Sequence, residues 1–150
     1  MAAKRNYTIV IVEDDPEFNE VLTMYVGRLC NDRDYPDLNF SIHSFKSGQK
    51  FIEHIDPDIK ILVLDYFLES FDNFPYNGLD LIKWVNKECK NCKVIMVSGQ
   101  HNQGVTSELF KSGIYEYIEK GSMTTTRLSN TIKRILSNET EASNKIQAQA

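Results

Sequence analysis

The sequence lacks any apolar run approaching the roughly 20 residues that a membrane-spanning helix needs. Its N-terminus, MAAKRNYTIV, has no signal-peptide layout, because acids starting at Glu13 interrupt the apolar stretch that follows. Cysteine is also scarce, with 3 residues in a chain of 150, and this is typical of a reducing compartment. We therefore expect a cytoplasmic protein that is not inserted into a membrane.

The few cysteines give little sign of metal or redox chemistry. Cys89 and Cys92 form one C-x-x-C motif, CKNC, and Cys30 stands alone. No second pair completes a zinc site. A thioredoxin-type motif should open a helix, whereas this one lies where a predicted helix ends. A structural role is the favoured interpretation.

An excess of positive charge is absent as well. The formal net charge is -4 and the sequence pI is about 5.4, which argues against direct nucleic-acid binding. The apolar fraction of 41% and the charged fraction of 25% are ordinary for a globular protein. A chain of this length can bury about two-thirds of its unfolded surface without a disulfide or a structural metal.

Five apolar runs predict five strands. The first, third and fourth are continuously apolar and rich in Ile and Val, as in parallel strands that are covered on both faces. The second alternates between apolar and polar residues, which suits an edge strand. In order, the runs are YTIVIV (7–12), LNFSIHSF (38–45), KILVLD (60–65), KVIMVS (93–98) and YEYIEK (115–120).

Helical patterns fill the intervals between these strands. The clearest is an apolar stripe at positions 18, 21, 22, 25 and 29. Gly113 is placed to end the fourth helix as a C′ residue. Strand and helix alternate five times, which predicts a three-layer, doubly wound α/β fold. We expect one domain over residues 7–137 and a flexible C-terminal tail or linker over residues 138–150.

Polar residues follow the apolar runs at the ends of four of the predicted strands. Glu13 and Asp14 follow the first, Asp65 ends the third, Ser98 ends the fourth and Lys120 ends the fifth. The carboxyl ends of parallel strands share one edge of the sheet, where ligands of such folds bind. We therefore expect these five side chains to converge on one site.

The chemistry of the five residues is complementary. Asp14 and Asp65 offer hard oxygen ligands and Glu13 could hold a metal-bound water, which suits Mg²⁺. A carboxylate is already ionised at neutral pH, so Asp65 could act as a nucleophile without a general base. Phosphoryl transfer needs mainly positioning and charge neutralisation, which Lys120 and Ser98 would help to supply. Ordinary strand-end polar residues with a buried ion pair are the bland alternative.

Taken together, the segments IVIVEDD, ILVLD, NGLDLI, VIMVSGQ and SGIYEYIEK resemble the receiver domain of two-component response regulators, the chemotaxis-type phosphoacceptor family. The resemblance runs from about Tyr7 to Leu136. It implies a flavodoxin-like (βα)5 fold with a parallel sheet in the order 2-1-3-4-5. It also implies a signalling switch rather than an enzyme, which receives a phosphoryl group from a sensor histidine kinase or a phosphotransfer protein.

The resemblance assigns a role to each acid. Asp65 would be the phosphorylated aspartate, and Glu13 and Asp14 would form the acidic metal pair. The backbone carbonyl of Phe67 would complete the protein's share of the Mg²⁺ ligands.

The resemblance also implies a switch. Ser98 would bond a phosphoryl oxygen, Lys120 would pair with the phosphoryl group, and Tyr117 matches the switch aromatic of the family. Movement of Ser98 toward a new phosphoryl group would leave space that Tyr117 could fill. The face formed by helix 4, strand 5 and helix 5 would then change its affinity for a downstream protein.

The chain departs from the family pattern at two places. Gly121 follows Lys120 where the family commonly has a proline, often with a cis peptide bond. The loop after Asp65, YFLESFDNFPYNG, is longer than usual and rich in aromatic residues. Its aromatics either cover the phosphorylation site or form a patch that binds a partner, or they simply pack locally.

Other functions fit the sequence less well. An aspartate-based phosphatase typically has a second Asp two residues after the nucleophile, where this chain has Phe67. A flavodoxin-like nucleotide or flavin binder would have a Ser-, Thr- or Gly-rich loop after the first strand instead of acids. A non-phosphorylated docking module of the same fold remains the main alternative, although Asp14, Asp65, Ser98 and Lys120 are all present.

The third acid of the EDD run has a separate role. Asp15 precedes Pro16, and an Asp before a Pro at the first helical position is a helix N-cap pattern. We therefore expect Asp15 to start the first helix rather than to join the metal pair.

Overall fold

The computed structural model describes residues 3–66, 78–99 and 103–149 of the chain. Strands and helices alternate along these residues, as the sequence pattern predicts. In chain order they are β1 (Arg5–Val12), α1 (Pro16–Leu29), β2 (Leu38–Phe45), α2 (Gly48–Glu53), β3 (Ile59–Asp65), α3 (Gly78–Glu88), β4 (Lys93–Ser98), α4 (Gln103–Lys111), β5 (Glu116–Glu119) and α5 (Thr124–Gln149).

The strands form a single parallel sheet in the order β2-β1-β3-β4-β5. This confirms the predicted doubly wound α/β fold and its strand order. The bounds of β2 and β4 match the predicted runs, and those of the other strands differ by one or two residues.

The inner strands are buried because both faces of the sheet are covered. Along β1, Val10 and Val12 belong to one hydrophobic cluster, whereas Ile9 and Ile11 belong to the cluster on the other face. Successive side chains of a strand point to opposite faces. A strand between two hydrophobic layers therefore needs apolar residues at every position, which explains the continuous runs in the sequence.

The alternation in β2 reflects its position at the edge of the sheet. Among the described strands, β2 pairs with β1 alone. Leu38 is buried, and Phe40 packs its ring against Tyr7 of β1 with 5.8 Å between the ring centroids. The polar residues of the strand are exposed. The edge-strand prediction is thus confirmed.

Helix α1 begins as the sequence predicts. Asp15 has an extended backbone, and its Oδ1 accepts hydrogen bonds from the backbone N–H groups of Glu17 (3.0 Å) and Phe18 (3.3 Å). Pro16 occupies the first turn, where its missing N–H needs no partner. Asp15 therefore caps the helix, which confirms the separation of the third acid from the other two.

The buried face of α1 differs in part from the predicted stripe. Leu22 is buried as expected, but the other fully buried positions of the helix are Asn19 and Val26. Phe18 is only partly buried. The buried face is therefore rotated from the stripe, because a polar residue, Asn19, occupies a core position with its own hydrogen-bond partners.

Helix α4 ends at a glycine, as predicted. Gly113 has a φ of 94°, a conformation that glycine adopts without the steric penalty of a side chain. The N–H of Gly113 donates to the carbonyl of Phe110, and the N–H of Ile114 reaches back to Leu109. These bonds satisfy carbonyl groups that the end of the helix leaves without partners.

The backbone remains helical well past the expected end of the domain. Helix α5 continues through the predicted tail to Gln149, and Glu139 forms a 3.7 Å ion pair with Arg5 of β1. The division between a domain at 7–137 and a tail at 138–150 stays a prediction. None of the described helices is both long and apolar enough to span a bilayer.

Candidate functional site

The register of the strands brings the polar residues predicted at the strand ends to one edge of the sheet. Val12 pairs with Leu64, so Glu13 and Asp65 follow at the same level. Ser98 pairs with Glu119, so Lys120 extends just beyond the end of β4. Parallel pairing therefore brings the strand ends to one edge, as predicted, and the residues directly after β1 and β5 carry Glu13, Asp14 and Lys120.

Three carboxylates meet at this edge. One oxygen each of Glu13, Asp14 and Asp65 lies within 4.8 Å of the other two. Glu13 is 1% exposed and Asp65 is 5% exposed, whereas Asp14 is partly open to solvent. Like charges this close repel one another strongly where water is excluded, so the cluster requires a cation or a bound proton.

The Lys120 ammonium supplies one such charge. Its Nζ lies 2.5 Å from Glu13 Oε1 and 3.4 Å from Asp65 Oδ2. The lysine thus bridges one acid that follows β1 and one that ends β3, which lie 107 and 55 residues away in sequence. The short contact with Glu13 is a charge-assisted hydrogen bond.

The acid–base properties of the pair follow from burial and from each other. Burial, and then the neighbouring Asp65 carboxyl, raises the pKa of Glu13 to about 8. Burial by itself would lower the pKa of Lys120, but the hydrogen bond to Glu13 and the charge of Asp65 raise it above its usual value. The ammonium form of Lys120 is therefore favoured at neutral pH.

The donor set suits a hard divalent cation. Glu13, Asp14 and Asp65 each place a carboxylate oxygen in mutual reach, which matches the preference of Mg²⁺ for oxygen ligands. Burial first, and then the neighbouring Asp65 carboxyl, raises the pKa of Glu13, so the ionised carboxylate is disfavoured in this pocket. A divalent cation would relieve this repulsion, so the residues fit the metal that the sequence implied.

The backbone around Lys120 is fixed by hydrogen bonds. Its N–H donates to the carbonyl of Ser98 at 2.8 Å, which continues the pairing of β4 with β5. The following turn is held by Thr124, whose Oγ1 accepts from the N–H of Gly121 at 2.7 Å. The described residues contain no cis peptide bond. Thr124 therefore supports the turn at which the family commonly has a proline.

The two predicted switch residues lie next to this site. Ser98 is fully buried at the end of β4. Tyr117, on β5, is half-buried and packs against the hydrophobic cluster that contains Met96, its register partner on β4. This arrangement is compatible with the switch expected from the resemblance, and the switching itself stays a prediction.

Part of the predicted site lies outside the described residues. Phe67, whose backbone carbonyl was expected to bind the metal, falls there, as does most of the long aromatic loop after Asp65. The hypotheses for this loop therefore remain open.

Asn19 is a residue that the sequence analysis missed. It is 3% exposed, and its Nδ2 donates to the carbonyl oxygens of Glu13 at 3.0 Å and Phe45 at 3.1 Å. The side chain thus ties α1 to the ends of β1 and β2, and it fixes the backbone that carries the acidic pair. Its only signal in the sequence is a polar residue beside an apolar stripe.

Phe18 is the other residue whose contacts the sequence did not reveal. It was assigned to the core stripe of the first helix, yet its ring lies beneath the Lys120 ammonium, with 4.8 Å between Nζ and the ring centroid. The apolar periodicity that identified the helix conceals this contact, since an aromatic core residue follows the same pattern.

The C-x-x-C motif shows no sign of an activated thiol. All three cysteines are free, and Cys89 Sγ donates to the carbonyl of Asp56 at 3.3 Å. Burial raises the pKa of Cys89 and brings the pKa of Cys92 to about 12. Raised pKa values oppose thiolate formation, so the motif has the character of a structural element.

The sheet order defines a doubly wound α/β domain, and the edge of its sheet carries an acidic pocket with a lysine. A family model for the response regulator receiver domain matches residues 9–133 of the chain. The chain therefore belongs to the response regulator receiver domain family, a family of two-component signal transduction. Among curated proteins, the comparison finds no significant match.

Solved structures with the same fold include several response regulators. Response regulator DrrB of Thermotoga maritima, an OmpR/PhoB homolog, has a TM-score of 0.71 at 18% identity over 90% of this chain and 54% of its own. The signal receiver domain of a putative Luxo repressor protein from Vibrio parahaemolyticus has a TM-score of 0.68 at 19% identity, covering 93% of this chain and 96% of its own. The BeF3 activated receiver domain of DrrB has a TM-score of 0.69 at 16% identity, covering 89% and 99%.

These similarities establish a shared fold. The chain spans about half the length of the full DrrB chain, which is 54% covered, and nearly all of the two isolated receiver domains.

Proposed function

We propose that the chain is a phosphoacceptor switch in which Asp65 receives a phosphoryl group from a sensor histidine kinase or a phosphotransfer protein. The observation that carries the proposal is the meeting of an acidic cluster with the ammonium of Lys120, 3.4 Å from Asp65 Oδ2. Phosphoryl transfer depends mainly on positioning and on neutralising the phosphoryl oxygens, and this site has the groups for both.

The proposed step is a displacement at phosphorus. An oxygen of the Asp65 carboxylate forms a bond to phosphorus while the bond between phosphorus and the imidazole nitrogen of a phosphohistidine breaks. The bonding electron pair stays on the imidazole. The Lys120 ammonium, already beside Asp65 Oδ2, would pair with the transferred phosphoryl group, and the Ser98 hydroxyl would donate to one of its oxygens.

Mg²⁺ belongs to the proposal as the second source of positive charge. Glu13, Asp14 and Asp65 would hold it, together with the backbone carbonyl of Phe67. When bound, the metal supplies charge neutralisation for the phosphoryl oxygens. Among the described residues, the three carboxylates that would bind the metal lie in mutual reach at the end of a buried sheet.

The output of the switch would be a change in protein contacts. Donation by Ser98 to the new phosphoryl group would draw β4 and the neighbouring Tyr117 into a second packing. The face of α4, β5 and α5 would then present a different surface to a downstream protein. The net charge of -4 favours a protein partner over direct contact with nucleic acid. The three free cysteines support the proposal of a cytoplasmic location.

The test is phosphorylation by a small phosphodonor, followed by intact mass spectrometry. Acetyl phosphate with Mg²⁺ should add one phosphoryl group to the wild-type chain, and chelation of the metal should prevent this. Asp65→Asn should abolish the adduct. Asp58→Asn is the matched control, because Asp58 is an exposed aspartate directly before the other end of β3.

Two outcomes would contradict the proposal in different ways. Absence of any Mg²⁺-dependent adduct in the wild-type chain would favour a docking module that works without phosphorylation. An adduct that persists in Asp65→Asn would place the acceptor elsewhere in the chain.

A further inference from the structure

We propose that Phe18 is a positioning residue that holds the Lys120 ammonium over the acidic pocket through a cation–π contact. The inference deepens the phosphoacceptor function proposed above and rests on it. It concerns how the lysine is kept in place, which neither the sequence pattern nor the family match addresses.

The geometry places Lys120 Nζ between two kinds of partner. Nζ is 4.8 Å from the centroid of the Phe18 ring, well inside the roughly 6 Å at which an ammonium is attracted to the face of an aromatic ring. The carboxylates of Glu13 and Asp65 provide its other contacts, at 2.5 Å and 3.4 Å. The ammonium is thus held by charge and by the electron-rich face of a ring at the same time.

The position of Phe18 is fixed by the start of helix α1. Its N–H donates to Asp15 Oδ1 at 3.3 Å, so the ring leaves the helix in the first turn, only a few residues after the acidic pair. The ring also packs at the margin of the hydrophobic cluster that contains Leu22. An anchored ring has little freedom to lose when it contacts the lysine, and its partial burial limits the access of water to the contact.

The contact matters because the strongest partner of Lys120 has a second proposed role. Glu13 binds the ammonium at 2.5 Å and is also one of the three carboxylates of the proposed metal site. A carboxylate that coordinates a divalent cation attracts the lysine ammonium less strongly. The Phe18 ring does not compete for the metal, so it can keep the ammonium near Asp65 after Glu13 has been engaged.

A purely structural role for Phe18 makes different predictions from a positioning role. Leucine would keep an apolar side chain of similar reach at the edge of the core but would remove the ring. Tyrosine would keep the ring and its face. Phe40 provides a matched control, since it is another partly buried aromatic, packed on Tyr7 rather than on a cation.

The first measurement needs neither metal nor phosphodonor. A ring beneath an ammonium shifts the NMR signals of the nearby methylene protons upfield, so the Lys120 Cε protons of the wild-type chain should resonate upfield of those of the exposed lysines. Phe18→Leu should remove this shift, Phe18→Tyr should keep it, and Phe40→Leu should leave it unchanged.

The second measurement is the rate of phosphorylation by acetyl phosphate at saturating Mg²⁺. Loss of one cation–π contact at a partly buried site predicts a rate roughly three- to tenfold lower in Phe18→Leu. Phe18→Tyr and Phe40→Leu should stay within about twofold of wild type, because the first keeps the contact and the second lies outside it.

The outcomes separate this inference from the proposed function. A wild-type chain that becomes phosphorylated, together with an unchanged rate in Phe18→Leu, would overturn the inference alone. A Lys120 signal without a ring-dependent shift would also overturn it. A wild-type chain that forms no adduct would overturn the proposed function, and with it the catalytic part of the inference. Equal slowing in Phe18→Leu and Phe18→Tyr would assign Phe18 to packing only.

Discussion

The N–H of Gly121 donates a hydrogen bond of 2.7 Å to the hydroxyl oxygen of Thr124. The same oxygen lies 2.9 Å from the carbonyl of Gly121, to which its proton can be donated. Thr124 is 2% exposed, so these bonds close the turn after Lys120 in a buried setting. The turn therefore depends on a backbone N–H that a proline at position 121 would lack.

Two substitutions at Gly121 should consequently have different effects on the free energy of unfolding. Gly121→Pro removes the donor and also restricts the backbone of Lys120, so we expect about 1–3 kcal/mol of destabilisation and slower phosphorylation. Gly121→Ala meets no atom within 4 Å and has no left-handed φ to strain. It should be neutral or stabilising by up to about 1 kcal/mol. Urea unfolding measures both, and a fully stable Gly121→Pro chain would contradict the role given to Thr124.

Asn19 and Asn39 offer a matched pair for testing a buried amide. Asn19→Ala would leave the carbonyl oxygens of Glu13 and Phe45 without their side-chain donor, so it should lower the free energy of unfolding by about 2 kcal/mol. Asn39 is exposed, and its side-chain Nδ2 donates to Asn6 Oδ1 on the neighbouring strand at 3.0 Å. Asn39→Ala should change the free energy of unfolding by less than about 0.5 kcal/mol. Similar losses in both variants would refute a special role for Asn19.

The capping role of Asp15 can be separated from simple removal of charge. Asp15→Ala removes the acceptor for two backbone N–H groups of α1 and should cost about 1 kcal/mol in urea unfolding. Asp15→Ser restores a capping oxygen without the charge and should recover most of this loss. Asp32→Ala breaks only an exposed ion pair with Lys4, so an effect below about 0.5 kcal/mol is expected there. Failure of the serine to rescue would point to charge rather than to capping.

Thiol chemistry should be slow in the folded chain. Burial brings the pKa of Cys30 and of Cys92 to about 12, from the ordinary thiol value of 9.0. Only the thiolate reacts, so alkylation by iodoacetamide at pH 8 should be about a thousandfold slower than in unfolded chain for these two residues. Mass spectrometry with peptide mapping would show adducts at Cys30 and Cys92 in urea and almost none at these two residues in buffer.

The same shifts have a consequence for stability at high pH. Because the folded state favours the neutral thiol, its contribution to stability is complete below pH 9 and declines as the pH rises from 9 toward 12. Cys30→Ala should weaken this decline.

Rapid formation of a Cys89–Cys92 disulfide under mild oxidants would contradict the structural interpretation of the C-x-x-C motif.

The parts of the site that the sequence predicted are those that depend on strand order and strand ends. Asp65 and Ser98 are the last residues of apolar runs, and parallel pairing must bring such residues to one edge. The N-cap at Asp15 and the left-handed Gly113 were also predictable, since each is set by a local backbone requirement and a residue type that meets it.

The parts that the sequence did not predict depend on contacts between distant elements. Phe18 and Asn19 are neighbours at the start of α1. The apolar periodicity of the helix predicts that Phe18 faces the core and that the polar Asn19 does not. Which of them faces the core and which faces Lys120 depends on how the helix is rotated against the sheet. Their partners Lys120 and Phe45 lie far from α1 in the sequence, so no local sequence pattern predicts how the helix is rotated.

The bridge between Glu13 and Lys120 spans 107 residues, and this has a consequence for a chain that is still being synthesised. The acidic pair and Asp65 leave the ribosome long before the lysine that neutralises them. A nascent chain therefore carries these neighbouring carboxylates without their counter-charge until β5 and Lys120 have been made. Competence of the proposed acceptor Asp65 to receive a phosphoryl group would in this way report that the chain has been synthesised and folded through β5.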